Sequence, residues 1–150
     1  MKRHSPVISH RDSVLLRRIA LFRYELRRFL RFSERTSRLC GITPQQHQLL
    51  LGVAGFTPDG SANISELAEF FQERHNAVVG LVERAVKRGL VRKERSSMDQ
   101  RIVRVSLTPS GAKVLVKIAR ENLRELARVK AKLPRGFKLP PPAPKAKKRN

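Results

Sequence analysis

The sequence is short of acid. Asp and Glu number 12 against 33 Lys and Arg, which leaves a formal charge of +21. A folded domain has no internal use for that excess, and self-repulsion opposes compaction. The expected partner is a polyanion, either nucleic acid or an anionic membrane surface. Cysteine is almost missing: Cys40 stands alone, so no internal disulfide can form and a reducing cytoplasm is the simplest setting. No apolar run approaches the ~18 residues of a transmembrane helix, so no membrane span is expected. Met1-Lys2-Arg3-His4 has no apolar stretch behind it, which argues against a secretory signal. His4, His10, His47 and His75 show no metal-ligand spacing, and no metal site is expected. No carboxylate pair, Gly-rich phosphate loop or Ser/Cys–His set stands out, so neither an enzyme nor a cofactor is expected. Aromatics are sparse, with 7 Phe, 1 Tyr and no Trp, yet 40% of the 150 residues are apolar. That suffices for one domain with one core.

The periodicity predicts mostly helix. Residues 1–12 are polar and irregular and read as a flexible arm. From Ser13 to Cys40, Leu15, Ile19, Phe22, Leu26 and Phe29 recur on one helical face, with Asp12 or Ser13 as the cap and Gly41 just past the end. About 28 residues of helix span ~42 Å, long for the domain, which hints at a partner subunit. Thr43-Pro44-Gln45-Gln46 is a cap, a first-turn proline and a capping box. That helix carries Leu49, Leu50, Val53 and Ala54 and stops near Gly55, before a turn at Thr57-Pro58-Asp59-Gly60. Asn63-Ile64-Ser65-Glu66 starts another helix. A third shows Val78, Leu81, Val82 and Ala85 on one face and ends at Gly89. Two short strands follow, Leu90 to Arg95 and Arg101 to Leu107, joined by a polar turn. Thr108-Pro109 opens a last helix, with Leu115, Ala119, Leu126, Val129 and Leu133 as its stripe. The tail from 134 to 150 is rich in Pro and Lys, lacks acid and reads as disordered.

Three helices followed by a hairpin make a helix-turn-helix with a wing. The third helix of such a module enters the DNA major groove. With its apolar face inward, it presents Arg74, His75, Asn76, Val79, Gly80 and Arg84. Asn76 suits an adenine edge, and Arg74 a guanine edge or a phosphate. A solvated charged face is the plain alternative. At the hairpin tip, Asp99 and Arg101 lie two residues apart and point the same way if extended. The carboxylate can then aim the guanidinium into a narrow minor groove. Spacing alone equally suits a surface ion pair worth ~0–1 kcal/mol. Arg95, at the other end of the hairpin, can reach a phosphate.

The stretch from Asn63 to Gly111 resembles the MarR family of multiple-antibiotic-resistance-type regulators. The resemblance rests on Leu67-Ala68-Glu69, Leu81-Val82-Glu83-Arg84, Arg88-Gly89-Leu90-Val91 and the run from Asp99-Gln100-Arg101 to Leu107-Thr108-Pro109-Ser110-Gly111. It implies a homodimeric winged-helix transcription regulator bound to double-stranded DNA. Arg101 is then the minor-groove arginine, Asp99 its support, and the helix from Arg74 the major-groove reader. The fold class implied is mainly α with a small β-hairpin (α+β): a winged helix-turn-helix over about 43–108, with long dimerisation helices over about 13–40 and 109–133. A small-molecule effector is possible by the same resemblance, and the sequence identifies none.

Three features depart from that pattern. Gln72-Glu73-Arg74 replaces the usual Gly, apolar residue and Ser or Thr before the reading helix. Gly80 stands where a longer polar side chain is common. The first helix is unusually basic, with Arg17, Arg18, Arg23, Arg27, Arg28, Arg31, Arg35 and Arg38 against Glu25 and Glu34. Cys40 can be read as a redox sensor or as a small residue at a helix end, and no second cysteine exists to resolve a sulfenic acid. His47 reads as half-buried packing. Two functions compete: a sequence-specific repressor in the cytoplasm, associated with the nucleoid, or a nucleoid-associated architectural protein with little sequence preference.

Overall fold

The computed structural model describes residues 7–133. The first half of the expected N-terminal arm and the whole basic tail therefore lie outside the described residues. Helix α1, His10–Leu39, starts three residues earlier than the apolar pattern indicated. Ser9, not Asp12 or Ser13, is the cap, and its hydroxyl accepts the Asp12 N–H at 3.1 Å. The first turns of α1 bury nothing, so hydrophobic spacing could not mark their beginning.

Helix α2, Pro44–Leu51, starts from the expected Thr43/Gln46 capping box and runs into π-helical turns over Gly52–Phe56. Gly52 is required there by close packing, since a Cβ would lie 2.8 Å from the Phe70 ring. Helices α3, Ile64–Phe71, and α4, His75–Lys87, follow, and α5 covers Pro109–Lys132. The sheet has three antiparallel strands in the order β1-β3-β2: β1 Ser61–Asn63, β2 Val91–Arg95 and β3 Val103–Leu107. The sequence reading had only the hairpin. β1 has three residues with one buried side chain, Ala62, too short for alternation to register. Arg104 ties it in place, donating from Nε to Ser61 Oγ at 2.9 Å and from Nη2 to the Ser61 carbonyl at 2.7 Å.

The core gathers Leu49, Leu50 and Val53 of the second segment, Leu67 of α3, Val78 and Val82 of α4, Val105 of β3 and Ile118 of α5. Two stripes differ from expectation. On α5 the buried positions are Leu115, Ile118 and Asn122, whereas Ala119 and Leu126 are exposed. A buried asparagine in the stripe disguised its true phase. On α1 the buried side chains are polar (Glu25, Ser33, Thr36 and Ser37), and Leu15, Ile19 and Leu26 face outward.

A polar seam joins α1, α2 and α5. Asn122 Nδ2 donates to Ser33 Oγ at 2.9 Å, and Ser33 Oγ lies 3.5 Å from His47 Nδ1. His47 is fully buried rather than half-buried, with 3% of its surface exposed. Burial lowers its pKa below the usual 6.5 by opposing the charged ring. The unfolded chain thus takes up a proton near pH 6.5 while the folded one resists it. Stability is full above that pH and falls as pH drops through the window below it. In His47→Gln the melting temperature should change less between pH 7.5 and 5 than in the parent chain. Equal pH dependence in both would exclude His47 as the source.

Candidate nucleic-acid interface

Helix α4 is held by Val78, Leu81, Val82 and Ala85, all buried, which turns the opposite side to solvent. Its start answers the irregular Gln72-Glu73-Arg74. Gln72 takes a left-handed conformation, φ 54°, closing α3, and Arg74 is the N-cap with an extended backbone. No side chain caps α4. The uncapped helix start is thus carried by an exposed arginine, a combination suited to a phosphate.

Arg74, His75, Asn76 and Arg84 are exposed, while Val79 and Gly80 are half-buried. A Cβ on Gly80 would lie 3.4 Å from Nη1 of Arg84, an ordinary contact with the end of a flexible side chain, so packing does not require glycine there. An open groove of 450 Å³ runs beside this face, lined by Gln45 and Gln48 of α2 together with Asn76 and Arg84. The two glutamines were missed in the sequence, because α2 looked like a purely supporting helix. Glu83 also lies on α4's outer side, where Lys93 of β2 donates to its carboxylate and offsets a negative charge unfavourable near phosphates.

The wing tip differs from the extended segment expected. Asp99 Oδ1 accepts the backbone N–H of Arg101 at 2.9 Å, and the Ile102 N–H bonds the Asp99 carbonyl at 3.0 Å, closing a turn. β3 therefore begins at Val103, not Arg101. Asp99 shapes the backbone that carries Arg101 rather than gripping its guanidinium, as its short side chain reaches its own turn most easily. Arg101 is left exposed at the tip. Arg95 is engaged as well: its Nη1 donates to the Gln100 carbonyl at 3.3 Å, bracing the turn from the opposite strand. The structure thus brings Arg95, Asp99 and Arg101 together at the wing. Arg74, His75, Asn76 and Arg84 share the α4 face.

Comparison with known proteins points to one family for the central segment. A family model described as MarR family matches residues 41–102, the segment from the α1–α2 corner to the wing tip. Residues 41–102, 62 of the 150, are similar to the MarR family. The HTH-type transcriptional repressor MdtR of Bacillus subtilis (strain 168) is 31% identical over 71 residues, which are 47% of this chain and 44% of that relative. The chain thus matches less than half the length of that relative. Among solved structures, a MarR family protein from Bacillus stearothermophilus superposes with a TM-score of 0.67 at 21% identity, covering 86% of each chain. AbsC, a MarR family transcriptional regulator from Streptomyces coelicolor, gives 0.66 at 18% identity, covering 87% of this chain and 85% of that one. A MepR variant from S. aureus, bound to an oligodeoxyribonucleotide, gives 0.61 at 19% identity, covering 77% and 83%. These likenesses show the fold alone, and the aligned share of the chain takes in α1 and α5. Among the described residues no group of His, Cys, Asp and Glu is placed to hold a metal, and no helix is long and apolar enough to cross a membrane.

Proposed function

We propose that this chain is a homodimeric transcription regulator, a repressor, that binds double-stranded DNA in a sequence-specific way on the nucleoid. The observation that carries the reading is one cationic surface made by two elements. The exposed face of α4, with Asn76 and Arg84 beside the Gln45/Gln48 groove, lies next to a wing whose braced turn presents Arg101. Asn76 and Arg84 would meet base edges in the major groove. Arg74 and the uncapped start of α4 would hold a phosphate, and Arg101 would enter the minor groove. The repressor relative and the DNA-bound neighbour support this reading. The net charge of +21 supplies attraction to any duplex and steepens salt dependence, whatever the sequence bound.

Arg101→Ala should weaken DNA binding by ~1–3 kcal/mol. Asp99→Ala should weaken it too, by loosening the turn, although it removes a negative charge near a polyanion. Titration of labelled duplex by fluorescence anisotropy separates these effects, and tighter binding by Asp99→Ala would remove Asp99 from the wing's support. The deciding experiment is a footprint on genomic DNA. Discrete palindromes with half-sites ~34–36 Å apart fit the regulator. Continuous coverage fits the architectural alternative, which the arginines of α1 favour.

A further inference from the structure

Helix α1 carries a ridge of arginines that the reading face does not use. Arg23, Arg27, Arg31 and Arg35 follow at every fourth residue, so they stack along one side of the helix. All four are exposed, and none has an ion-pair or hydrogen-bond partner among the described residues. Arg38 continues the ridge, loosely tied to Glu34 at 3.9 Å. From Arg23 to Arg38 the ridge spans about 22 Å at ~1.5 Å per residue. Like charges at this spacing oppose the helix that carries them. The other acid of this stretch, Glu25, is buried and pairs with Arg28 instead.

The ridge has its own sector of α1. The buried sector holds Ser33, Thr36 and Ser37, and the exposed apolar residues Leu15, Ile19, Leu26 and Leu30 overlap its edge on the side toward the arginines. Helix α2 packs against both α1 and α4, while α1 and α4 share at most slight contact. The arginine ridge and the reading helix are therefore carried by elements that do not pack substantially on each other.

We propose that the Arg23–Arg35 ridge of α1 is a second, sequence-independent surface for the phosphate backbone of double-stranded DNA, so that the protein holds one duplex on α4 and the wing and another on α1. The argument is charge complementarity along a line. A straight helix offering a guanidinium every ~6 Å meets a polymer with a phosphate every ~3.4 Å per strand. The guanidinium fork suits phosphate oxygens better than a point charge does. DNA is favoured over a lipid surface because the reading face would already hold the protein on that polymer, where a neighbouring segment has a high effective concentration. To that extent the inference rests on the function proposed above.

The test is sequential capture with the full chain. Protein is loaded on an immobilised genomic duplex, excess is washed away, and a labelled duplex of unrelated sequence is added. The parent chain should retain the labelled duplex. R23Q/R27Q/R31Q/R35Q, matched for loading, should retain it at least ten-fold less, while binding the first duplex within about three-fold of the parent. The lysine version, R23K/R27K/R31K/R35K, should keep most of the capture and checks that helix and charge suffice. Circular dichroism of both variants should match the parent. Capture by the glutamine variant equal to the parent overturns the proposal. Loss of first-duplex binding together with capture overturns it as well, since ridge and reading face would then be one surface. Intact capture with lost binding to phosphatidylserine vesicles would make the ridge a lipid surface and also overturn it. R101A distinguishes the two readings: undiminished loading of that variant on the first duplex would refute the wing assignment, and its capture would still test the ridge.

Discussion

Replacing Gly111 with alanine is expected to destabilise the chain by about 3 kcal/mol, at the upper end of overpacking costs. In the interior of an exposed helix the same change stabilises by ~1 kcal/mol, so the sign alone is informative. The first turn of α5 rests on the chain at the end of α4. A Cβ on Gly111 would lie 1.9 Å from the carbonyl oxygen of Leu90. That carbonyl cannot swing aside freely. It accepts the Thr108 N–H at 3.1 Å, while the Thr108 hydroxyl donates to the Gly89 carbonyl at 2.6 Å. Gly89 itself sits at φ +66°, a conformation that other residues adopt with strain. Relief therefore requires α5 to lift from the β2 entry, opening the contact around Leu115 and Ile118. The melting temperature should fall by roughly 10 °C for a domain of this size. Unchanged thermal and urea melts would mean that α5 slides along Leu90 without cost.

The double substitution Ile19→Asp and Leu26→Asp should convert a dimer into a monomer. Light scattering of the parent chain is expected to give about twice the 17.1 kDa chain mass. Ile19 and Leu26 are 46% and 41% exposed in the single chain, on the outward apolar ridge of α1. Burial of such a side chain contributes ~1.5–3 kcal/mol, and two-fold symmetry repeats each contact. Losing the four contacts weakens assembly by on the order of 6 kcal/mol, about 10⁴-fold in the dissociation constant. DNA affinity should fall with it, since each subunit would hold its half-site alone. A parent chain that sediments as a monomer would remove the dimeric regulator. A variant that stays dimeric would move the interface off this ridge.

The starts of α2, α3 and α5 were legible in the sequence, whereas that of α1 was not. Thr43, Asn63 and Thr108 each accept the backbone N–H three residues on, at starts indicated by the Thr43/Gln46 and Asn63/Glu66 spacings and by the Thr108-Pro109 pair. Caps are local chemistry, complete within four residues, so one sequence carries the whole signal. The α4 core face was equally plain, because a single buried side follows the helical period. Legibility failed where tertiary contact decides. β1 exists through Arg104 and its pairing to β3, neither of which leaves a mark within Ser61–Asn63. The α5 stripe was misread because Asn122 is buried against Ser33, 89 residues away in sequence. At the wing, the residues Asp99 and Arg101 were apparent from their order. The hydrogen bond between them was not, since a two-residue spacing suits a side-by-side strand pair and a turn alike. Gln45 and Gln48 became visible only when α2 was seen to border the α4 groove.

Between His10 and Tyr24, helix α1 fully buries no side chain in the single chain, with Leu21 and Phe22 half-buried, and its later fully buried positions are polar. Its own chain thus contributes little apolar free energy to hold those first four turns, and helices of that length are marginal in water by themselves. In the homodimer proposed above, the partner chain would supply the missing support. Folding of α1 and association of two chains would then be one equilibrium, and the apparent stability of the protein would depend on how much of it is present. The melting temperature should climb with protein concentration, and amides of the first turns should exchange with solvent faster in dilute samples than in concentrated ones. In a cell, scarcity would unravel the same helix that abundance assembles.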